Sequence, residues 1–134
     1  MMKLGGPRPL HGSSVGKLLA AFNSDLESRV LSTARLEPFT PLTLTDHDRL
    51  RDEYDAIRRR GYSVNDGESV EGIIGLSTPI VGAGGGVDAA VHISAPRGRL
   101  GPDRLPVVVA AMQAAGARIS ADLGAPLDAV RVLT

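Results

Sequence analysis

His92 and Ser94 are the two side chains in this sequence best placed to do chemistry together. They stand two positions apart in the segment VDAAVHISA at 87–95, and side chains two apart on a strand point to the same side of a sheet. An imidazole and a hydroxyl placed in this way can contact a ligand, act as a base and nucleophile, or lie in solvent. Because their parallel directions and the lack of an identified orienting group argue against catalysis, we expect a ligand floor and no catalytic residue.

Other polar clusters have simpler explanations. Asp46 and Asp48 flank a histidine at a predicted helix start, where acidic residues are favoured without any metal. Asp66 and Glu68 are expected to be a turn former beside a solvated charge. The stretch GSSVGKL at 12–18 lacks the spacing and the Ser/Thr of a phosphate-binding loop. The sequence therefore predicts no metal and no cofactor.

The elements that must position these residues are strands in the middle of the chain. An apolar run at 72–81 and a second run at 87–95 are separated by GAGGG at 82–86, where glycine permits positive φ. This pattern predicts a β-hairpin, with a short third strand at 62–64. In the second run, alternate residues share the face that should meet helices: Val87, Ala89, Val91, Ile93 and Ala95. The other face carries Asp88, Ala90, His92 and Ser94.

Helical patterns flank this sheet. Two short helices are predicted within 13–31, the first capped by Ser13 or Ser14, and a third runs from a Thr45 cap to Gly61. A long helix is predicted at 100–123 with Pro102 in its first turn. The alternating tail at 125–134 predicts an edge strand, and residues 1–8 form an irregular lead-in. This order indicates an α+β fold with an antiparallel sheet.

Composition limits the function classes. With 134 residues the chain is long enough for one domain, and 15 basic residues balance 15 acidic ones, so no net field attracts DNA or an anionic membrane. Cysteine is absent and aromatic residues are 3%, which excludes disulfides and leaves few stacking platforms for nucleic acid. No apolar run is long enough to span a membrane. We expect a cytoplasmic protein that does not bind DNA by itself.

Three blocks in order resemble one family: PLHGSSVGKLLAAF at 9–22, GYSVNDGESVEGIIGLSTPIV at 61–81 and ISAPRGRLGPDRL at 93–105. Together they are similar to the carboxy-terminal effector-binding domain of IclR-type bacterial transcriptional regulators, over 9–124. The resemblance implies a GAF-like α+β domain that binds a small metabolite and regulates a separate winged helix-turn-helix domain. The family's winged helix and the first strands of its effector domain have no counterpart in this sequence.

The resemblance also implies a set of effector-binding residues. Its motifs fall on the turn that follows PLH, on the position after the GY motif, on the strand that follows it and on the last strand. With Ile73 and Val15 supplying an aliphatic wall, the expected ligand-binding residues are Ser14, Val15, Asn65, Ile73, Gly75, His92 and Ser94. An amide at 65 and a glycine at 75 replace the family's acid and thiol, so the pocket should be wider and differently polar.

Three functions stay open on the sequence. The first is an effector-sensing regulatory domain with a small metabolite as partner. The second is a metabolite-binding protein or small enzyme that uses His92 as a base. The third is a truncated regulator that retains only an oligomer surface. Because the predicted sheet is small and leaves an unpaired edge, we expect a homodimer or a tetramer, formed by pairing edges or by exchanging tails.

Overall fold

The structure is a computed structural model that describes residues 9–132. The predicted lead-in at 1–8 and the last two residues lie outside this range. The elements in chain order are α1 (Ser14–Phe22), α2 (Ser24–Leu31), α3 (His47–Arg60), β1 (Ser63–Asp66), β2 (Ile73–Val81), β3 (Val87–Pro96), a 3-10 turn (Arg97–Arg99), α4 (Leu105–Asp122) and α5 (Leu127–Val132). The predicted α+β class is confirmed.

The sheet has three antiparallel strands in the order β1-β2-β3. The predicted hairpin is β2 and β3, joined by the glycine-rich turn at 82–86. A bulge interrupts its register, because Val81 pairs with Val87 whereas Ile80 pairs with Ala89. This bulge leaves Asp88 as the extra residue and moves every later pair of the hairpin by one position.

Helices cover both faces of the sheet. On one face α4 packs its buried Val109 and Met112 against Ile74 and Leu76 of β2. Helix α4 and strand β2 come so close at Gly116 that a Cβ there would lie 2.7 Å from the carbonyl oxygen of Pro79. Val91, Ile93 and Ala95 contact the same cluster, as the alternation predicts.

The opposite face carries α1, which α2 and α3 then cover. Their shared core contains Leu18, Leu50, Tyr54 and Ile57, all without exposed surface. Asp46 caps α3 by accepting a hydrogen bond from the Arg49 amide at 2.9 Å, so the predicted Thr45 cap is one residue too early. Gly61 ends this helix with φ of 77°, a conformation that glycine adopts at least cost.

Two predictions in the carboxy-terminal region are wrong. The long helix begins at Leu105 and not near Leu100, because a 3-10 turn and a second turn occupy 97–104, and Pro106 instead of Pro102 lies in its first turn. The tail is a helix and not an edge strand. Gly124 reverses the chain with φ of 84°, and the Val130 amide bonds the carbonyl of Pro126. Four alternating apolar positions are too few to exclude a short helix.

Candidate functional site

The first turn of α1 rests on the sheet through serine side chains. Ser13 caps the helix by accepting a hydrogen bond from the Gly16 amide at 3.0 Å. Ser14 Oγ lies 2.8 Å from Ser77 Oγ of β2 and 3.1 Å from Nδ1 of His92 on β3. Ser63 of β1 donates to the carbonyl oxygen of Ser14. All three strands therefore hold the beginning of α1 in place.

Gly75 of β2 lies in the centre of this group, where the strand carries no side chain. A Cβ at this position would lie 3.1 Å from Ser14 Oγ, 3.4 Å from Cε1 of His92 and 3.7 Å from Cβ of Asn65. Ser94 is the direct cross-strand partner of Gly75. We call Ser14, Gly75, Ser77, His92 and Ser94 the polar floor. The structure thus brings four of the predicted residues together, and adds Ser77.

Hydrogen bonds fix the imidazole of His92 on this floor. Nδ1 lies 3.0 Å from the carbonyl oxygen of Leu76 and 3.1 Å from Ser77 Oγ. A carbonyl oxygen can only accept a hydrogen bond, so Nδ1 carries a proton in this arrangement. The ring orientation is therefore set by β2, the neighbouring strand, before any ligand arrives.

Asn65, which the resemblance predicts to bind the ligand, is hydrogen-bonded to the protein on both atoms of its amide group. Its amide group donates to the carbonyl of Gly12 at 2.8 Å and to Ser69 Oγ at 2.7 Å, while its oxygen accepts from the Glu68 amide at 2.8 Å. The side chain is buried. Asn65 thus ties the turn before α1 to the turn after β1, and lies beside Gly75 on the same face of the sheet.

The remaining predicted residues lie around this floor. Ile73 is half-buried and shares the face of Gly75 by strand alternation, and Val15 is half-buried next to Ser14 on α1. Ser94 and His92 are exposed, because β3 is the last strand of the sheet. Ser77 was missed by the sequence reasoning, although its position two residues after Gly75 on β2 puts it on the same face.

Asp66 and Glu68 belong to ion pairs and not to a pair of catalytic carboxylates. Asp66 bonds Arg97 at the surface. Glu68 is only 8% exposed and accepts from Lys17 Nζ at 3.0 Å, so the prediction of a solvated charge is wrong for this residue. Lys17, 1% exposed, also donates to the carbonyl of Val64 at 2.6 Å.

A cleft lies beside these ion pairs. Its volume is about 440 Å³, and its charged lining is balanced between three cations and three carboxylates. The charged lining residues are Lys17, Arg60, Arg97, Glu53, Asp66 and Glu68. Because these charges are already bonded to one another, the cleft offers no unbalanced charge to a ligand.

The polar cluster at residues 46–48 has the helix-capping role that the sequence predicts. Asp46 caps α3, and Nε2 of His47 bonds the carbonyl of Thr33 at 2.7 Å. Among residues 9–132, no group of three or more metal-ligating side chains of His, Cys, Asp or Glu is found. The described helices also include none that combines the length and the apolar character needed to cross a membrane.

Comparisons with known proteins agree on one family. Residues 1–121 match the family model described as "Bacterial transcriptional regulator IclR C-terminal". The HTH-type transcriptional regulator BhcR of Paracoccus denitrificans is 34% identical over 121 residues, which cover 90% of this chain and 43% of BhcR. The chain thus spans less than half of this relative. That relative is named as a regulator and not as an enzyme, which confirms that part of the prediction.

Solved structures show the same fold. A putative IclR transcriptional regulator from Silicibacter sp. TM1040 superposes with a TM-score of 0.84 at 28% identity, covering 94% of this chain and 50% of that one. The inducer-binding domain of PobR from Acinetobacter, a double mutant in complex with 3-hydroxybenzoic acid, gives a TM-score of 0.78 at 25% identity, with 88% and 69% covered. The chain belongs to the IclR family of bacterial transcriptional regulators and corresponds to its carboxy-terminal domain.

Proposed function

We propose that this chain senses a small-molecule effector on the polar floor and regulates transcription through a DNA-binding domain carried outside these residues. The observation that carries the proposal is the meeting of Ser14, Gly75 and His92 at one point of the sheet. Glycine places no side chain over the strand here, so the Ser14 hydroxyl and the His92 imidazole approach its backbone closely and offer oriented polar groups at that point. Ligand sites are commonly built in this way, from an apolar surround and a few fixed polar groups.

The ligand we expect is a small organic metabolite with polar substituents. The PobR inducer-binding domain was solved with 3-hydroxybenzoic acid, which shows that one protein of this fold binds a small aromatic acid. On the present floor, Ser14, Ser77 and Ser94 are neutral hydroxyls and His92 is the titratable group. The chemistry therefore suits a ligand that combines hydroxyl groups with at most one negative charge.

We infer that this chain alone does not recognise DNA. The chain carries no net charge, so counterion release would contribute little to DNA affinity. We infer that the effector signal reaches DNA through the rest of a regulator, in the cytoplasm, with this domain present as a homodimer or a tetramer. A salt-sensitive, sequence-specific gel shift by the isolated chain would contradict this division of roles.

The test is ligand binding by His92→Leu beside a matched control. A panel of hydroxylated monocarboxylates, sugar acids and neutral polyols is first screened with the unmodified chain by thermal shift, and hits are measured by calorimetry. His92→Leu should weaken binding of a hit at least tenfold and leave the domain folded, with a loss of about 1 kcal/mol because the hydrogen bonds of Nδ1 to Ser14, Ser77 and Leu76 are removed. His47→Leu, which replaces a histidine at the start of α3, should bind normally. Equal affinity of both variants would refute the role of the floor.

A further inference from the structure

A cleft that shares no residue with the polar floor lies where α2, the segment after it and the turn before α1 meet. We call it the α2 cleft. Its volume is about 330 Å³, within the range of about 300–1,000 Å³ that small-molecule sites have. Val30 and Leu36 in its lining belong to the core formed around α1 and α3, and Leu10 packs against that core. The core thus supplies one apolar wall of the cleft.

Three charged side chains, Arg29, Arg35 and Glu37, also line the α2 cleft. Within the described residues 9–132, none of the three side chains forms a hydrogen bond or an ion pair with the protein. The charges of the cleft beside Lys17, by contrast, are bonded to one another. The α2 cleft therefore has two guanidinium groups and one carboxylate available to a ligand.

His11 distinguishes this cleft from a patch of solvated arginines. It lines the cleft although only 7% of its surface is exposed. Nε2 lies 2.8 Å from the carbonyl oxygen of Glu37, and because a carbonyl oxygen only accepts, Nε2 carries the proton. In the neutral ring Nδ1 is then an acceptor, and it has no hydrogen-bond partner between residues 9 and 132. Nδ1 is not one of the two buried side-chain atoms that lack a partner, so its lone pair is accessible and its position is fixed.

The end of α2 adds a further charge preference. The helix ends at Leu31, and Thr33 of the next turn lines the cleft. The carboxy-terminal end of a helix carries partial negative charge, so this end and Glu37 both favour a positive group. A ligand with only a negative charge would be repelled by them, and one with only a positive charge would be repelled by the two arginines. The lining suits a small ligand that carries both charges.

We propose that the α2 cleft binds a free α-amino acid with a small aliphatic side chain. Arg29 and Arg35 would bind the carboxylate through charge-assisted hydrogen bonds, the strongest kind available to a neutral-pH ligand of this size. The ammonium would donate to the Glu37 carboxylate and to Nδ1 of His11. The aliphatic side chain would lie on the apolar wall of the cleft. This site is additional to the polar floor and does not depend on it.

Calorimetric titration with L-valine and L-leucine tests the ligand class. Two analogues of valine each lack one charged group: 3-methylbutanoate has no ammonium, and isobutylamine has no carboxylate. Because each analogue loses one set of charge-assisted bonds and keeps the repulsion from the opposite groups, both should bind at least tenfold more weakly than valine. An analogue that binds as tightly as valine, or an absence of binding by both amino acids, would overturn the proposal.

Charge-removing variants test the residues. Arg29→Met and Arg35→Met should each weaken valine binding at least tenfold, and the fold should persist because both side chains are exposed. Arg59→Met, which removes another exposed arginine on α3, should bind valine normally. Glu37→Gln should weaken binding of valine but not of 3-methylbutanoate, which has no ammonium to lose a partner. Valine affinity that is equal in all four variants would overturn the assignment of these residues.

Backbone-amide NMR spectra locate the bound amino acid. Valine should shift the amides at 10–11 and 29–37, and His92→Leu should bind valine as tightly as the unmodified chain. Shifts confined to 75–77 and 92–94, or a loss of valine binding in His92→Leu, would place the amino acid on the polar floor. Either result would overturn the α2 cleft as its site while supporting the effector proposal.

Discussion

Ser14 Oγ lies 3.1 Å from Nδ1 of His92, although the two residues are 78 positions apart in the chain. The bond joins the first turn of α1 to the outermost strand of the sheet. Ser77 lies between them and contacts both side chains. Lys17, one turn further along α1, donates a hydrogen bond to the carbonyl of Val64 on β1. A ligand that moves Ser14 would therefore also displace a contact at β1, the opposite edge of the sheet.

Gly75→Ala should reduce ligand binding without unfolding the protein. The added methyl would lie 3.1 Å from Ser14 Oγ and 3.4 Å from His92 Cε1, so it would crowd two polar groups of the floor. A small shift of the Ser14 hydroxyl can relieve the contact, and alanine lowers the entropy of the unfolded chain. We expect stability within about 1 kcal/mol of the unmodified chain and a binding constant weakened at least tenfold.

The control for this change is Gly84→Ala, in the hairpin turn. A Cβ at Gly84 would meet no atom within 4 Å, so the same substitution adds the same methyl away from the floor. Calorimetric titration with a ligand found in the screen compares the two variants. Unaltered binding by Gly75→Ala would show that the ligand does not use this part of the sheet.

The sequence predicted the hairpin and the faces of β3 because both depend on local patterns. Val91 and Ile93 alternate with His92 and Ser94, and a period of two can be read from the sequence alone. The partner of His92 could not be read in this way. Without the bulge, the pairing of Val81 with Val87 would put Ser77 opposite Val91, whereas the observed partner of Ser77 is His92.

The buried ion pair was missed for a similar reason. Lys17 and Glu68 stand 51 residues apart, and each looks solvated when only its neighbours in sequence are considered. Their burial follows from packing α1 and the turn after β1 against the same edge strand. Asn65 shows the same limit, since its three hydrogen bonds to the turns around it arise only after the chain has folded.

Lys17→Met should destabilise the domain severely. The substitution keeps most of the aliphatic length of the side chain but removes the ammonium that bonds Glu68 and the carbonyl of Val64. Breaking one partner of a buried pair leaves an uncompensated charge, with a cost of about 3–5 kcal/mol. Urea denaturation measures this loss.

Two further variants separate charge from packing. Adding Glu68→Gln to Lys17→Met should recover part of the loss, because the orphaned carboxylate is then neutral. Arg59→Met, on an exposed position of α3, should change the free energy of unfolding by less than about 0.5 kcal/mol. If Lys17→Met were as mild as Arg59→Met, the bond to Glu68 would contribute little to the fold.

Thr78→Val should stabilise the protein. Thr78 is fully buried on β2, and its hydroxyl has no hydrogen-bond partner among the described residues. Valine has nearly the same shape and removes the unsatisfied group, so we expect a gain of about 1–2 kcal/mol. Thr45→Val, at an exposed position, serves as control in the same denaturation series. A loss of stability in Thr78→Val would indicate that the hydroxyl is bonded in solution.

Tyr54→Phe should protect the protein at high pH. Tyr54 lies fully buried in the core of α1 and α3, and its hydroxyl also has no hydrogen-bond partner among the described residues. Burial, with a smaller contribution from the Glu27 carboxylate, raises the pKa of Tyr54 from 10.0 to about 12. Between these two values the unfolded chain loses the phenolic proton while the folded chain keeps it. Stability therefore falls as pH rises through this window, by up to about 3 kcal/mol in total.

Melting curves at pH 8 and near pH 12 measure this effect as a difference between variants. At pH 8 Tyr54→Phe should equal or exceed the unmodified chain by about 1 kcal/mol, since an unsatisfied buried hydroxyl has been removed. Near pH 12 the stability advantage of Tyr54→Phe over the unmodified chain should be larger, by most of the loss of about 3 kcal/mol that ionisation of Tyr54 causes. Phenylalanine cannot ionise in the unfolded chain, so the variant escapes this loss. An advantage of Tyr54→Phe that is independent of pH would mean that the phenol ionises as easily in the folded chain as in the unfolded one, and that water reaches this core.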